Sequence, residues 1–338
     1  MKPTQVDIAK RAGVDRSVVS RVLSGNMGKT SVRPELAKRI HQAAASLGYT
    51  PNLAAQAVRT GKFNTIALLM STHQERSYIP TALINGLHDK LAEHQMNLLI
   101  ARIPDERLED DEYIPQILTS LMADGLIINY THAVPPRLKK LLKQHHLPVV
   151  WINQELDTDA IYPDNRKAAQ KLTQHLLAQG HTKVAYLDAD TPSSELASSH
   201  FSNRSRSEGY VDAMRSGGLG CTEIRPPAHL GHGDTALIDS WLKEYDYTAI
   251  ISKWIVWVPV ILQHFWKEGK DFPSDISLAT FSGQQAASFG IDFVTSMVEP
   301  DYEMGQKAIG MLLQKIDAPH TPIPSLMLPF EFNQGSSS

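Results

Sequence analysis

Five residues near the amino terminus could hydrogen-bond to base edges. At 100° per residue Arg16, Ser17, Ser20, Arg21 and Ser24 fall on one arc of a helix, and Val18, Val19, Val22 and Leu23 on the opposite arc. A guanidinium fork pairs bidentately with O6 and N7 of guanine, and short hydroxyls let a helix lie close against a major groove. The same pattern would also suit a helical hairpin whose Arg/Ser face is merely solvated.

The flanking residues must aim that face. Thr4 is placed to cap a first helix, with Asp7 three residues on favoured at its positive end. Ile8, Ala9 and Ala12 form its inner stripe, Gly13 provides a tight turn, Val14 plugs the corner and Asp15 caps the second helix. This spells a helix-turn-helix unit. A third helix follows the loop Gly25 to Ser31, with Pro34 in its first turn and Gly48 as its stop. Asn52 can cap a short segment, Leu53 to Arg59, which is too short to stay helical alone. It is expected to fold on DNA, the bland reading being a linker that never folds.

Charge is divided to match. Residues 1–62 hold 11 Lys/Arg against 3 Asp/Glu, and the rest 22 against 33, so +8 and −11 make up the overall −3. A polyanion is therefore expected to meet only the first sixty or so residues. Cys221 is the single cysteine, which excludes an internal disulfide and suits a reducing cytoplasm. The start MKPTQVDIAK lacks the apolar core of a secretory signal. The longest apolar run, Trp254 to Leu262, is interrupted by Pro259 and falls far short of a membrane span, so no membrane partner is expected.

From Thr65 onward, strand-like runs (66–70, 98–101, 126–128, 149–152, 184–187, 249–251, 276–281) alternate with amphipathic stretches (81–93, 113–122, 166–178, 207–215, 235–245, 304–315). That alternation predicts an α/β core with parallel sheets, in two lobes, with a ligand at the carboxyl ends of the strands. Asp164-Asn165 is the expected first crossing between lobes. The run Trp254–Phe265 is apolar on nearly every side, which predicts a helix buried all round, either in a dimer interface or in plain core. Gly335-Ser336-Ser337-Ser338 reads as a disordered end or an appended scar.

No GxxxxGK[ST] loop, GxSxG elbow, HExxH motif or metal-spaced Cys/His pair is present, so neither an enzyme nor a metal or other cofactor is expected.

The residues resemble the LacI/GalR transcriptional regulators. VDIAKRAGVDRSVVSRVL at 6–23 is similar to that family's helix-turn-helix, and LGYTPNLAAQAVRTG at 47–61 to its hinge helix. GLIIN at 125–129, PDN at 163–165, RSEGYVDAM at 206–214, FPSDISLATFS at 272–282 and EPDYEMGQKAIGMLL at 299–313 extend the match across nearly the whole chain. The resemblance implies an all-α headpiece (1–49), a hinge helix (50–62) and a dimerising, two-lobed core resembling periplasmic binding proteins (63–332). Its first lobe would be about 63–163 plus 286–322, its second about 164–285 plus 323–332. It also implies a pseudo-palindromic operator, a nucleoid-associated cytoplasmic homodimer, a small-molecule effector and repression as the sign of action. Arg16, Ser17 and Arg21 match base-reading positions. Thr4, Asp15, Ser20, Tyr49 and Asn52 match backbone-contacting or positioning ones, and Ala55, Gln56 and Val58 match hinge positions that enter the minor groove. Val58 stands where Leu is commoner, a shorter wedge.

In the effector pocket Arg206 matches the arginine that holds ligand oxygens, its structural alternative being a pair with a core acid such as Asp188 or Asp190. Lys253 and Trp254 stand where the family carries Asn-Asp, and Ser282 where it carries Asp. Two acids lost and Lys253 gained predict a more positive pocket and an anionic effector, such as a sugar acid or phosphorylated sugar. The alternatives are a neutral sugar, stacked on Trp254, or no small molecule at all. His73 and Tyr78 either reach the cleft or belong to a capped loop. The competing classes are a regulator of this fold without small-molecule control and a two-lobed solute-binding protein.

Overall fold

A computed structural model describes residues 3–24, 32–50, 61–73, 76–119, 122–131, 133–192, 194, 196, 199–225, 235–282 and 290–338. Asn52, Ala55, Gln56 and Val58, with the hinge helix they define, and the loop Asn26–Ser31 lie outside the described residues. The chain divides into two compact units, Met1–Phe63 and Asn64–Ser338.

The first unit is a three-helix cluster: α1 (Gln5–Ala12), α2 (Arg16–Ser24) and α3 (Pro34–Ser46). Ile8, Val19 and Ile40, one from each helix, meet in its centre with Val22, Ala43 and Ala44.

The second unit holds two six-stranded sheets. The first consists of β1 (Thr65–Ser71), β2 (Asn97–Ile103), β3 (Gly125–Asn129), β4 (Val149–Ile152), β5 (Ala160–Pro163) and β11 (Leu326–Leu328), ordered β11-β5-β4-β3-β1-β2 with every pairing parallel. β1 and β3 are buried along both faces, the sequence signature of central parallel strands. α4 (Thr81–Glu93) and α11 (Asp301–Asp317) cover one face through Leu83, Leu87, Met304 and Leu312. The other face packs on the short α5 (Gln116–Thr119) and on α6 (Pro136–His145) through Leu118, Leu138 and Leu141.

The second sheet, ordered β12-β10-β9-β8-β6-β7, contains β6 (Val184–Leu187), β7 (Thr222–Ile224), β8 (Ala249–Ser252), β9 (Ser277–Ser282), β10 (Thr295–Val298) and β12 (Glu331–Asn333). Only β12 runs antiparallel. α7 (Asn165–Ala178) and α8 (Phe201–Ser216) cover one face, α9 (Thr235–Glu244) and α10 (Val258–Lys267) the other. The expected architecture, a helix-turn-helix unit and a two-lobed parallel α/β core, is the one observed.

Four expectations need correction. The chain re-enters the first lobe at Glu299–Asp301, not near 286, because Thr295–Val298 pairs with β9. It returns to the second lobe after Leu328, not near 323, because Leu326–Leu328 pairs with β5. The run Trp254–Phe265 breaks into a 3₁₀ turn, Ile255–Trp257, followed by α10, and is not buried all round: Trp254 is 36% and Val256 44% exposed. The last four residues are neither a disordered end nor a loose appendage. Ser337 is buried, its carbonyl accepts from Leu278 N at 2.9 Å, and its hydroxyl accepts from Thr295 N at 2.9 Å.

Candidate functional site

In the first unit the predicted face is positioned by local chemistry. Thr4 N and Oγ1 donate to Asp7 Oδ2 at 2.9 and 2.7 Å, which holds that carboxyl below its ordinary range and closes the start of α1. Gly13 adopts φ 61°, which a side chain would strain, and Val14 N then reaches Ala9 O at 3.0 Å. Asp15 accepts from Ser17 N at 2.7 Å, so its carboxylate, held low by that bond, caps α2. The charge of Asp15 is thus turned into the helix end. Arg16 and Ser17 are exposed, Ser20 and Arg21 half-buried, and Val19 and Val22 buried on the opposite face. Arg21 Nε donates to Ser17 O at 3.3 Å, laying its stem along the exposed face. Tyr49 is half-buried against the cluster beyond α3.

In the core, the carboxyl ends of five parallel strands set a row of side chains in order. Arg225 follows β7, Asp188 follows β6, Lys253 follows β8, Ser282 ends β9 and Glu299 follows β10. Asp188, fully buried, is the anchor. It pairs with Lys253 Nζ at 2.6 Å and with Arg225, and accepts from Thr191 N at 3.1 Å. Lys253 Nζ also lies 3.4 Å from Asp190 Oδ2 and donates to Thr191 Oγ1 at 3.0 Å. Lys253 is therefore buried and neutralised, and the surplus positive charge expected from it does not form. The correction has a simple cause: sequence shows the gained cation but not the carboxylates folded around it.

Arg206 is buried too and does pair with an acid, but that acid is Glu299, not Asp188 or Asp190. Its Nε donates to Asn165 Oδ1 at 2.8 Å, Nη1 to Lys253 O at 3.0 Å and Nη2 to Glu299 Oε1 at 2.5 Å, with the guanidinium 4.5 Å above the Phe281 ring. Asn165 and Glu299 both stand at crossings between the lobes. Beside them Asp301 is almost fully buried, its carboxyl pushed up to about 8 by desolvation and by Glu299. Ser282 Oγ, Asp190 Oδ2 and Asp301 Oδ2 are buried with no hydrogen-bond partner among the described residues.

Opposite this floor, the first lobe presents an edge built on Asp105, a residue the sequence reading passed over. It accepts from Ser71 Oγ at 2.9 Å, Arg76 Nη1 at 2.6 Å and Tyr130 OH at 2.8 Å, raising the Tyr130 hydroxyl far above its ordinary value through burial and the adjacent charge. His73 bonds Glu106 at 2.7 Å on the exposed rim, as a capped loop would have it. Tyr78 meets Trp254 edge-on, ring centres 6.3 Å apart, across the lobes. A second bridge joins Tyr162 to Phe201 at 5.8 Å, with His200 Nε2 donating to Asn153 O at 3.1 Å. Near it a cavity of about 290 Å³ is lined from both lobes by Thr131, Gln154, Glu155, Phe201 and Arg204, among others. The structure thus gathers Arg206, Lys253 and Ser282 along one strand-end row, with Trp254 beside it and His73 on the facing lobe.

A helix-turn-helix with an outward Arg/Ser face, carried on a two-lobed core whose strand ends face one another, defines a DNA-binding regulator with a sensor core. The chain belongs to the LacI family: residues 4–52 match the bacterial regulatory proteins of the lacI family, and residues 64–243 the periplasmic binding proteins and sugar-binding domain of the LacI family. Residues 173–338 also match a periplasmic-binding-protein-like domain. It is a DNA-binding transcriptional regulator. It is 27% identical to the maltose regulon regulatory protein MalI of Escherichia coli K12, over 97% of this chain and 96% of that one. It is 25% identical to the probable transcriptional regulator EndR of Paenibacillus polymyxa, over 94% and 92% respectively. Against the E. coli K12 ribose operon repressor identity is 23%, over 99% of both chains. Among solved structures, the lac repressor dimer bound to operator and the anti-inducer ONPF superposes with TM-score 0.80 at 18% identity, covering 100% of this chain and 99% of that one. The CelR–cellobiose complex gives 0.65 at 20%, covering 99% and 100%. No helix among the described residues is long and apolar enough to cross a membrane.

Proposed function

We propose that this regulator is a homodimeric repressor of a metabolic operon, acting in the cytoplasm on the nucleoid, and that its grip on a pseudo-palindromic operator is set by a small sugar-like effector between the core lobes. The observation that carries the DNA-binding half is the two-sided α2: Val19 and Val22 are buried while Arg16 and Ser17 face outward. Arg16, Ser17 and Arg21 then read bases in the major groove. Thr4, Asp15, Ser20, Tyr49 and Asn52 contact the backbone or hold the unit in register. Residues 1–49 form the reading head, 50–62 a hinge that places Ala55, Gln56 and Val58 in the minor groove between half-sites, and the remainder the dimerising sensor.

For the effector, the matched charges favour an uncharged polyhydroxylated molecule over a sugar acid or phosphate. Lys253 is satisfied by Asp188 and Asp190, and Arg206 by Glu299. Ser282, whose hydroxyl has no partner among the described residues, and Arg206 are its polar anchors, Trp254 its stacking wall. Selection of genomic fragments by the purified protein, sequenced at moderate salt, tests the first half. A shared palindrome is expected, whereas retention without a motif that vanishes steeply with salt leaves only counterion-driven binding. Calorimetric titration with neutral sugars and sugar acids tests the second. Heat from the acids alone overturns it.

A further inference from the structure

The segment that carries the chain back from the second lobe to the first contains two carboxylates around one proline. Glu299 follows β10 and so belongs to the second lobe, while Asp301 opens α11 and belongs to the first. Among the described residues one cation faces them. Arg206 from α8 gives Nη2 to Glu299, and its other bonds go to Asn165 and the Lys253 carbonyl. No ion pair reaches Asp301 among the described residues, its Oδ2 lacks a hydrogen-bond partner, and only 2% of the residue is exposed. Among the described residues the remaining titratable group facing the pair is Tyr78, from the loop after β1, whose hydroxyl is raised by burial and by both acids. On the α4 side, Asp89 is engaged one residue further on, by Tyr302 OH at 3.0 Å.

Two neighbouring carboxylates with a single guanidinium, which is paired to Glu299, do not both stay charged when Asp301 is shut off from water. The first turn of α11 favours a negative Asp301, but a helix terminus offers less than full burial takes away. We propose that the Glu299–Pro300–Asp301 crossing is a proton-operated switch between the lobes: a proton on Asp301 lets β10 and α11 sit as they do, and its loss drives Glu299 and Asp301, and the lobes that carry them, apart. The Asp301 carboxyl, pushed up to about 8, would release that proton just above neutrality. The switch goes beyond effector binding, and its test requires neither effector nor operator.

The exposed single cysteine, Cys221, lies in the second lobe just ahead of β7, and Lys143 is an exposed residue of α6 in the first. In the full chain, Lys143→Cys with Cys221 accepts a donor–acceptor dye pair across the lobes. Energy transfer, followed from pH 6.5 to 9.5, is expected to fall with a midpoint near 8. Adding Asp301→Asn, which keeps a neutral side chain of the same shape, should abolish the transition. Adding Glu299→Gln should move the midpoint down, because a repelling charge is gone. Transfer that is flat with pH in the otherwise native chain, or an identical transition in Asp301→Asn, overturns the proposal. A merely structural buried acid would alter stability without changing the interlobe distance.

Discussion

Lys253 Nζ lies 2.6 Å from Asp188 Oδ1 with both side chains buried, at the carboxyl ends of neighbouring strands. The pair makes the floor of the second lobe a self-compensated surface. Arg225, Lys253 and Arg206 are met by Asp188, Asp190, Glu223 and Glu299, so a ligand encounters oriented dipoles and hydroxyls rather than a spare cation. A pocket that looks basic residue by residue is close to neutral once folded.

Removing one member of such a buried pair should cost more than removing both. Lys253→Met leaves Asp188 with Arg225 alone and is expected to destabilise the core by about 3 kcal/mol. Adding Asp188→Asn should recover most of that, since Asn can still accept from Thr191 N. Urea unfolding of the two single variants and the double variant measures the coupling. Additive losses would mean that the pair contributes nothing as a pair.

On the reading head, Arg16→Ala and Arg21→Ala should each cost about 1–3 kcal/mol on the selected operator and relax base preference at one position per half-site. Thermal unfolding should barely change for Arg16, which is exposed and outside the cluster around Ile8, Val19 and Ile40. Fluorescence anisotropy on operator and on random DNA separates the roles. Equal losses on both would make these residues phosphate contacts.

How much of this was legible in the sequence follows from the range of the interaction. Thr4, Asp7, Gly13 and Asp15 act within three or four residues of themselves, so the helix-turn-helix could be read almost residue by residue. Strands buried on both faces, such as 66–70 and 126–128, announce themselves as apolar runs. β7, β11 and β12 have three residues each and are partly exposed at or near sheet edges, so pattern alone misses them, and with them the true crossings. The site failed for the same reason on a larger scale. Lys253 is 65 positions from Asp188, and Arg206 is 93 from Glu299, so composition shows the charges but not who neutralises whom.

The carboxyl-terminal tail offers a test of a different kind. A Cβ on Gly335 would come within 2.1 Å of the Phe293 carbonyl oxygen, a backbone atom that cannot step aside. Gly335→Ala should therefore unseat the tail, releasing Ser337 from Leu278 and Thr295, at a cost of about 1–3 kcal/mol. Limited proteolysis should then clip the terminus faster than in the native chain. Unchanged protection would show that the tail does not brace the β9–β10 edge.

Asp301 gives stability a pH dependence whose sign can be fixed. Its folded-state pKa is raised to about 8 from an ordinary 3.8, by desolvation first and Glu299 second. Between those values the native chain holds a proton that the unfolded chain has released, so stability falls as pH rises through this window. The contribution is complete below the unfolded value, is lost progressively up to about 8, and changes no further above it. Asp301→Asn imitates the protonated acid at every pH. Its urea midpoint should match the native chain's near pH 4, exceed it increasingly toward pH 8, and run parallel beyond. A difference that stays constant from pH 5 to 9 would mean that Asp301 is ionised in the folded protein.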